Sequence, residues 1–336
     1  MAMVKASSYG SGSYEIASTL QFHRVDYLAV AYADEGVELR KAGITLPIMV
    51  MSPEVQAFED IVNYNLEPEI FSFRVLHLFD EYLKQNSVTG YPVHLKLDTG
   101  MHRLGFEEAD TEKLVGETRK NDRIKITSVF SHLAATDEES MDDFTREQIA
   151  AFKKTSKKIT DALSYPVLLH ICNSGGIARF PEAHFDMVRL GIGMYGVAVN
   201  ETEQKQLVNV GTLKTTISQI KHLNAGDTVG YSRKGKITKP TTIATVPIGY
   251  ADGLSRKLSN GNGYMYIKGR AVPLIGNVCM DMCMLDITGI ECREGDEVII
   301  FDSIEKLNAI SQKAETIPYE VLTSVSTRVK RIYVQE

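Results

Sequence analysis

Met1-Ala2-Met3-Val4-Lys5-Ala6-Ser7-Ser8-Tyr9-Gly10-Ser11-Gly12 opens the chain: an apolar run, a lysine, then a turn of small residues. Helical periodicity follows over residues 14–22, and a second apolar run over residues 27–31. Strand, loop, helix and strand in so short a span make the repeating unit of a parallel sheet with crossover helices. The unit recurs. Apolar runs stand at residues 2–5, 27–31, 47–51, 69–72, 93–97, 126–131, 167–171 and 187–190. Helix-like stretches lie between many of them, at residues 35–42, 73–83 and 144–163 among others. The eight runs predict an α/β fold, a TIM-like (β/α)8 barrel, whose reactive groups gather where strands end and loops begin.

Unusual polar residues fall at those ends. A lysine closing a buried strand holds an amine that desolvation can make neutral and nucleophilic, as for Lys5. Read alone, such a lysine is more often a snorkelling cation. Lys96 and Asp98 end the fifth run with Arg103 in the loop beyond, His132 ends the sixth, Asn173-Ser174 follow the seventh, and Arg189 lies in the eighth. Five strand ends thus aim polar groups at one mouth. That pattern predicts an active site.

The 336 residues exceed what one compact core usually takes, so two domains are expected. Hydrophobic residues at 43% and charged residues at 24% are ordinary globular values. A net charge of -6 argues against nucleic acid or an anionic membrane surface as partner. No apolar stretch nears the ~20 residues that span a bilayer. Past residue 200 the texture turns to strands at 208–223, 241–249, 264–267, 278–287, 297–301 and 328–334, with glycine-rich turns and one short helix near 304–314. The expected division is 1-204 for the barrel and 205-336 for a mostly-β C-terminal domain. Cys172, Cys279, Cys283 and Cys292 form no metal set with neighbouring histidines and read as thiols in a reducing cytosol, so no metal is expected.

Taken in order, the motifs resemble those of the alanine racemase family. They are Met3-Val4-Lys5-Ala6 with Tyr9-Gly10, Lys96-Leu97-Asp98-Thr99-Gly100-Met101-His102-Arg103-Leu104-Gly105, Ser131-His132 and Asn173-Ser174. Arg189-Leu190-Gly191-Ile192-Gly193-Met194-Tyr195-Gly196, Pro247-Ile248-Gly249-Tyr250-Ala251-Asp252-Gly253, Cys279-Met280-Asp281 and Pro318-Tyr319-Glu320 complete the series. The match runs from residue 3 to 320. The resemblance implies a barrel carrying pyridoxal 5'-phosphate, a C-terminal β domain that completes the partner's site in a homodimer, and interconversion of L- and D-alanine in the cytoplasm for peptidoglycan.

The resemblance also implies roles. Lys5 carries the cofactor as an imine and, once displaced, serves one face of the substrate; Tyr231, nineteen residues before Tyr250, serves the other from the partner subunit. Arg189 faces the cofactor's pyridine nitrogen and suppresses side reactions. Gly191 and Ile192 give backbone N–H groups to the phosphate, with hydroxyls from Ser174, Tyr9 and Tyr319. His132 sits around the ring, Arg103 near the substrate carboxylate, and Met280 and Tyr250 limit side-chain size. Lys96 matches a position that is carbamylated in many relatives. From local sequence alone, Tyr231 reads as a half-buried strand tyrosine and Met280 as core.

Ser7 and Ser11 stand where the family usually has Asn and His, and Leu190 takes the place of a frequent proline. The family's usual segment before the lysine is missing, so either the start is truncated or the chain is a piece of a longer polypeptide, and we expect excision from a fusion behind a cell-wall peptide ligase. A full-length transcript with no coding sequence upstream of Met1 tests that expectation. Other readings are a racemase for serine or a broader set of amino acids, a decarboxylase of the same architecture, and a non-catalytic pyridoxal-phosphate-binding protein. The decarboxylase pattern with its nucleophilic cysteine is not found, and the binding proteins are single barrels, against which the second domain counts.

Overall fold

The computed structural model describes residues 1–198 and 200–334. It divides into two compact units: Met1–Ser8, Ser13–Met194 and Ala198–Gln206 form the first, and Tyr9–Gly12, Tyr195–Val197 and the chain from Leu207 onward form the second.

In the first unit, seven strands lie side by side in chain order: β1 (Ala2–Met3), β2 (Leu28–Val30), β3 (Ile48–Val50), β4 (Glu67–Ile70), β5 (Tyr91–Lys96), β6 (Ile124–Phe130) and β7 (Leu168–His170). Every neighbouring pair is parallel. β2 and β3 are wholly buried, as a sheet covered on both faces requires. The eighth run differs from expectation. Residues 187–190 form no full strand; Leu190 makes a single parallel bridge to Ala2. Backbone bonds carry the closure: Met3 N–H donates to the Leu190 carbonyl (2.9 Å), Leu190 N–H to Met1 (3.0 Å) and Arg189 N–H to Cys172 (2.9 Å). The chain turns at Gly191 into a 3-10 segment, Ile192–Tyr195, which cuts the pairing short.

Helices Ser13–Phe22, Ala33–Lys41, Phe73–Gln85 and Asp142–Asp161 stand near the periodic stretches. Phe73–Gln85 buries Val75, Leu76, Phe79 and Leu83, one stripe at helical spacing, and the Ser72 hydroxyl caps its start. Phe58–Asn63, Thr111–Thr118 and Ser174–Arg179 are further helices, too short for periodicity to show.

The second unit holds a seven-stranded sheet, in order β8-β16-β13-β14-β15-β12-β9, and a two-stranded ribbon, β10-β11. The strands are β8 (Leu213–Thr216), β9 (Gln219–Leu223), β10 (Thr228–Val229), β11 (Gly235–Lys236), β12 (Thr241–Val246), β13 (Tyr264–Ile267), β14 (Arg270–Ile275), β15 (Cys283–Asp286) and β16 (Glu297–Phe301). All pairings are antiparallel. β14 was not expected; Pro273 interrupts its pattern, and Lys268-Gly269 with positive φ makes the tight turn into it. The expected strand at 328–334 does not form. There Arg331 donates from Nε and Nη2 to the Gly10 carbonyl (2.9 and 2.8 Å) and the Tyr333 hydroxyl to that of Ser11 (2.9 Å), so side chains anchor the segment.

Candidate active site

Lys5 leaves β1 and enters an uncommon turn. Ala6, Ser7, Ser8 and Tyr9 all have φ between 50° and 53°, a left-handed helical turn without glycine. Each such residue costs roughly 1–2 kcal/mol. Glu35 offsets part of that: its carboxylate accepts from the N–H groups of Ala6 (2.6 Å), Ala31 (2.7 Å) and Tyr32 (3.3 Å). Charge-assisted bonds of this kind are about twice as strong as neutral ones. The lysine is therefore fixed where strand meets strained turn, a frequent signature of functional backbone. Burial holds its ammonium below the usual lysine range, and the Arg103 and Lys96 cations push the same way against Glu35 and Glu69.

Arg189 lies in the barrel at 2% exposure. Its Nη1 bonds to His170 Nδ1 (2.7 Å) and donates to the His170 carbonyl (3.3 Å). Nη2 donates to the carbonyls of Ser131 (2.6 Å) and Ile171 (2.9 Å) and contacts His132 Nδ1 (3.2 Å). The Phe130 ring lies 5.2 Å from its guanidinium carbon. None of these bonds uses Nε. Burial and Arg189 hold His132 far below the usual histidine range, so its ring is neutral. The loop bearing His132 is tied to the long helix by Gln148, which accepts from Ala134 N–H (3.0 Å) and donates to the His132 carbonyl (3.3 Å).

The sequence reading missed Glu69. It is fully buried, and its Oε1 accepts from Lys96 Nζ at 3.0 Å, while Oε2 has no hydrogen-bond partner among the described residues. Burial pushes its carboxyl up to about 7 despite the Lys96 cation. A carboxylate opening an apolar run was the available signal. His170 and Glu35 were missed similarly: one sat inside a run taken as apolar, the other in a helix with solvated charges.

Ser174 starts a short helix after Asn173, whose side chain caps it. The Ser174 Oγ accepts from Gly191 N–H (3.0 Å) and Gly193 N–H (3.3 Å), so hydroxyl and glycine amides cluster beside Ile192. Arg103 is exposed in the loop beyond β5. That loop folds back tightly: Gly105 has φ +135°, and a Cβ there would lie 2.5 Å from Asp98 N. Lys5, Lys96, His132, Ser174, Arg189, Gly191 and Ile192 thus all belong to the first unit, at strand ends.

Arg103 belongs to the first unit as well, whereas Tyr9, Tyr231, Tyr250, Met280 and Tyr319 belong to the second. Tyr9 is buried, its ring 4.7 Å from that of Tyr195 and 6.2 Å from that of Tyr319. Tyr231 is no half-buried strand residue: it follows Gly230 in a 3-10 turn and is 72% exposed. Tyr250 opens the turn Tyr250–Asp252, its N–H donating to Cys279 while Ala251 N–H donates to Met280. Met280 is half exposed and so is not core. Asp252 and Asp281 clamp Arg328 at 2.7 and 2.8 Å, joining the two turns. Tyr250 also borders a cavity of about 280 Å³ with Leu254, Thr316 and Glu320.

Residues 1–199 match the family model described as "Alanine racemase, N-terminal domain" and residues 210–333 match "Alanine racemase, C-terminal domain". The chain is 39% identical to alanine racemase 2 of Caldanaerobacter subterraneus subsp. tengcongensis, over 99% of this chain and 88% of that protein. Among solved structures, the alanine racemase of Clostridium difficile 630 superposes with a TM-score of 0.92 at 36% identity, covering 99% of this chain and 88% of that one. The alanine racemase of Bartonella henselae with covalently bound pyridoxal phosphate gives 0.87 at 30% identity, covering 99% and 92%.

Proposed function

The chain belongs to the alanine racemase family, and we propose that it interconverts L- and D-alanine with pyridoxal 5'-phosphate bound covalently to Lys5. The observation that carries the reading is the Lys5 amine, its pKa lowered by burial and by cations, fixed at a strand end among groups suited to one cofactor. The residues fit that cofactor. Arg189 is a fixed cation whose bonds among the described residues leave its Nε–H for a ring nitrogen, and the Gly191 and Gly193 amides, which donate to Ser174 Oγ, would turn with that hydroxyl to a bound phosphate.

Bound pyridoxal phosphate supplies a conjugated ring that spreads the negative charge left when the Cα proton departs. This chain's residues do the rest. Once the substrate amine displaces it from the cofactor, the freed Lys5 amine takes or returns the proton on one face, and Tyr231 of a second copy acts on the other, so substrate need not turn over. The 72% exposure of Tyr231 supports its use by another molecule. Arg189 holds its cation against the ring nitrogen, keeping that atom unprotonated and side reactions rare, and His132 packs around the ring. Arg103 binds the substrate carboxylate with its planar fork. Gly191, Ile192 and Ser174 hold the phosphate, joined in the family's pattern by the hydroxyls of Tyr9 and Tyr319. Met280 and Tyr250 bound the side-chain pocket. Lys96 keeps the family's carbamylation position, and here its Nζ already faces Glu69.

We divide the chain functionally at 204/205 and place it as a homodimer in the cytoplasm, supplying D-alanine for peptidoglycan. Cys172 and Cys283 are buried free thiols, as a reducing compartment would keep them. The test is chiral chromatography of L-alanine incubated with purified protein and cofactor, with borohydride reduction and peptide mapping. Racemisation, with label on Lys5 and loss of both in Lys5→Ala, is expected. Label elsewhere, or no D-alanine, would refute the reading.

A further inference from the structure

A second polar system crosses the parallel sheet and ends on Arg189. Glu67 Oε2 lies 2.9 Å from His94 Nε2; His94 Nδ1 lies 2.6 Å from Ser128 Oγ; Ser128 Oγ lies 2.9 Å from His170 Nε2; and His170 Nδ1 lies 2.7 Å from Arg189 Nη1. His94, Ser128 and His170 have no solvent exposure, and the Glu67 side chain has 13%. The system crosses β4, β5, β6 and β7 and ends on Arg189. A β-bulge makes it possible: the β5–β6 register shifts between Val93 and His94, so that Val93 pairs with Ile126 but His94 with Ser128. The shift sets the serine hydroxyl between two imidazoles.

The direction of every bond follows from the two ends. Arginine can only donate, so His170 Nδ1 must accept and the proton of its neutral ring sits on Nε2. Burial and Arg189 keep that ring neutral. Its Nε2–H then donates to Ser128 Oγ, which leaves the serine proton for His94 Nδ1. His94 therefore carries its proton on Nε2 and donates it to Glu67, an acceptor-only carboxylate. With Glu67 ionised, no other assignment with neutral rings makes all four bonds. Around the acidic end, the Tyr27 ring stands edge-on to His94 at 5.7 Å, and the Tyr27 hydroxyl, Arg40 and Tyr91 act on Glu67. Phe130 stacks on His170, with ring centroids 4.9 Å apart at 3°.

We propose that Glu67, His94 and Ser128 are positioning residues for Arg189: their one-way chain of donors locks His170 in the tautomer whose Nδ1 accepts, which pins the guanidinium and aims its Nε at the cofactor ring. If the chain is cut at Ser128, His170 loses the acceptor that holds its proton on Nε2. The ring can then place a proton on Nδ1, donor against donor, and push Arg189 out of line. The inference rests on the proposed cofactor role of Arg189, but the chain's polarity does not.

The test begins with protein labelled with ring-¹⁵N histidine, whose resonances are assigned with His94→Gln and His170→Gln. Both rings should show protonated Nε2 and unprotonated Nδ1 at neutral pH, with and without pyridoxal phosphate. A protonated Nδ1 on either ring overturns the proposal, even if the protein racemises alanine. Ser128→Ala, loaded with cofactor, should lose about tenfold in kcat (about 1.4 kcal/mol) with KM for alanine nearly unchanged, and should transaminate more often per turnover. Ser128→Thr, which restores the hydroxyl, should recover both. A fall in kcat without rise in transamination, or equal loss in the threonine variant, refutes the positioning role. Should Ser128→Ala not fold, the wild-type tautomers still decide. Expected tautomers in a protein that makes no D-alanine would sink the function instead, leaving the chain's polarity standing.

Discussion

Replacing Glu69 by glutamine removes one ionisable group and almost no volume, so its effect isolates the cost of a buried charge. The carboxyl is fully buried, receives one bond from Lys96, and has a second oxygen without a partner among the described residues. Desolvation outweighs the attraction of Lys96 and pushes it up to about 7 from 4.5. A folded-state value above the unfolded one means that the native protein holds this proton more tightly. Its stabilising contribution is complete below about pH 4.5, declines as pH rises through about 7, and is absent above. Between pH 5 and pH 8 linkage gives a loss of about 2–3 kcal/mol from this residue alone. Urea unfolding of wild type and Glu69→Gln at both pH values measures it. The variant should lack that part of the slope and at pH 8 should equal or exceed wild type in stability. A variant with the wild-type slope, or one several kcal/mol weaker at pH 8, would show that the ion pair outweighs desolvation.

The remaining predictions concern the turn, the pocket and the second base. Glu35→Gln weakens three bonds that hold the left-handed turn after Lys5 and should cost about 1–3 kcal/mol in urea unfolding, with slower cofactor attachment measured by absorbance; unchanged values would mean that the turn holds itself. Gly249→Ala puts a Cβ 2.3 Å from the Met280 carbonyl oxygen, so the unfolding free energy should fall by about 1–3 kcal/mol and KM for alanine should rise. Tyr231→Phe should slow L-to-D and D-to-L conversion unequally in initial-rate assays by chiral chromatography, and equal, small losses would remove it as a base.

Residues 1–31 and the six later apolar runs were enough for the parallel architecture, because strands buried on both faces must be apolar throughout and connections between parallel strands must be helical. The strand-end lysines, arginines, serine and histidine were legible for the same reason: polar types are conspicuous at the end of an apolar run. Three-dimensional pairing decided the rest. It reduced the eighth run to one bridge at Leu190, placed Arg331 and Tyr333 in a segment expected to be a strand, and raised Tyr231 into solvent. It also put Glu69 against Lys96, and Glu67, His94, Ser128 and His170 in one bonded line, although these residues sit on separate strands joined by whole crossover segments. Periodicity tells which way a side chain faces along its own strand. Which neighbour it meets across the sheet depends on register, and here on a bulge beside His94, a property of two strands together.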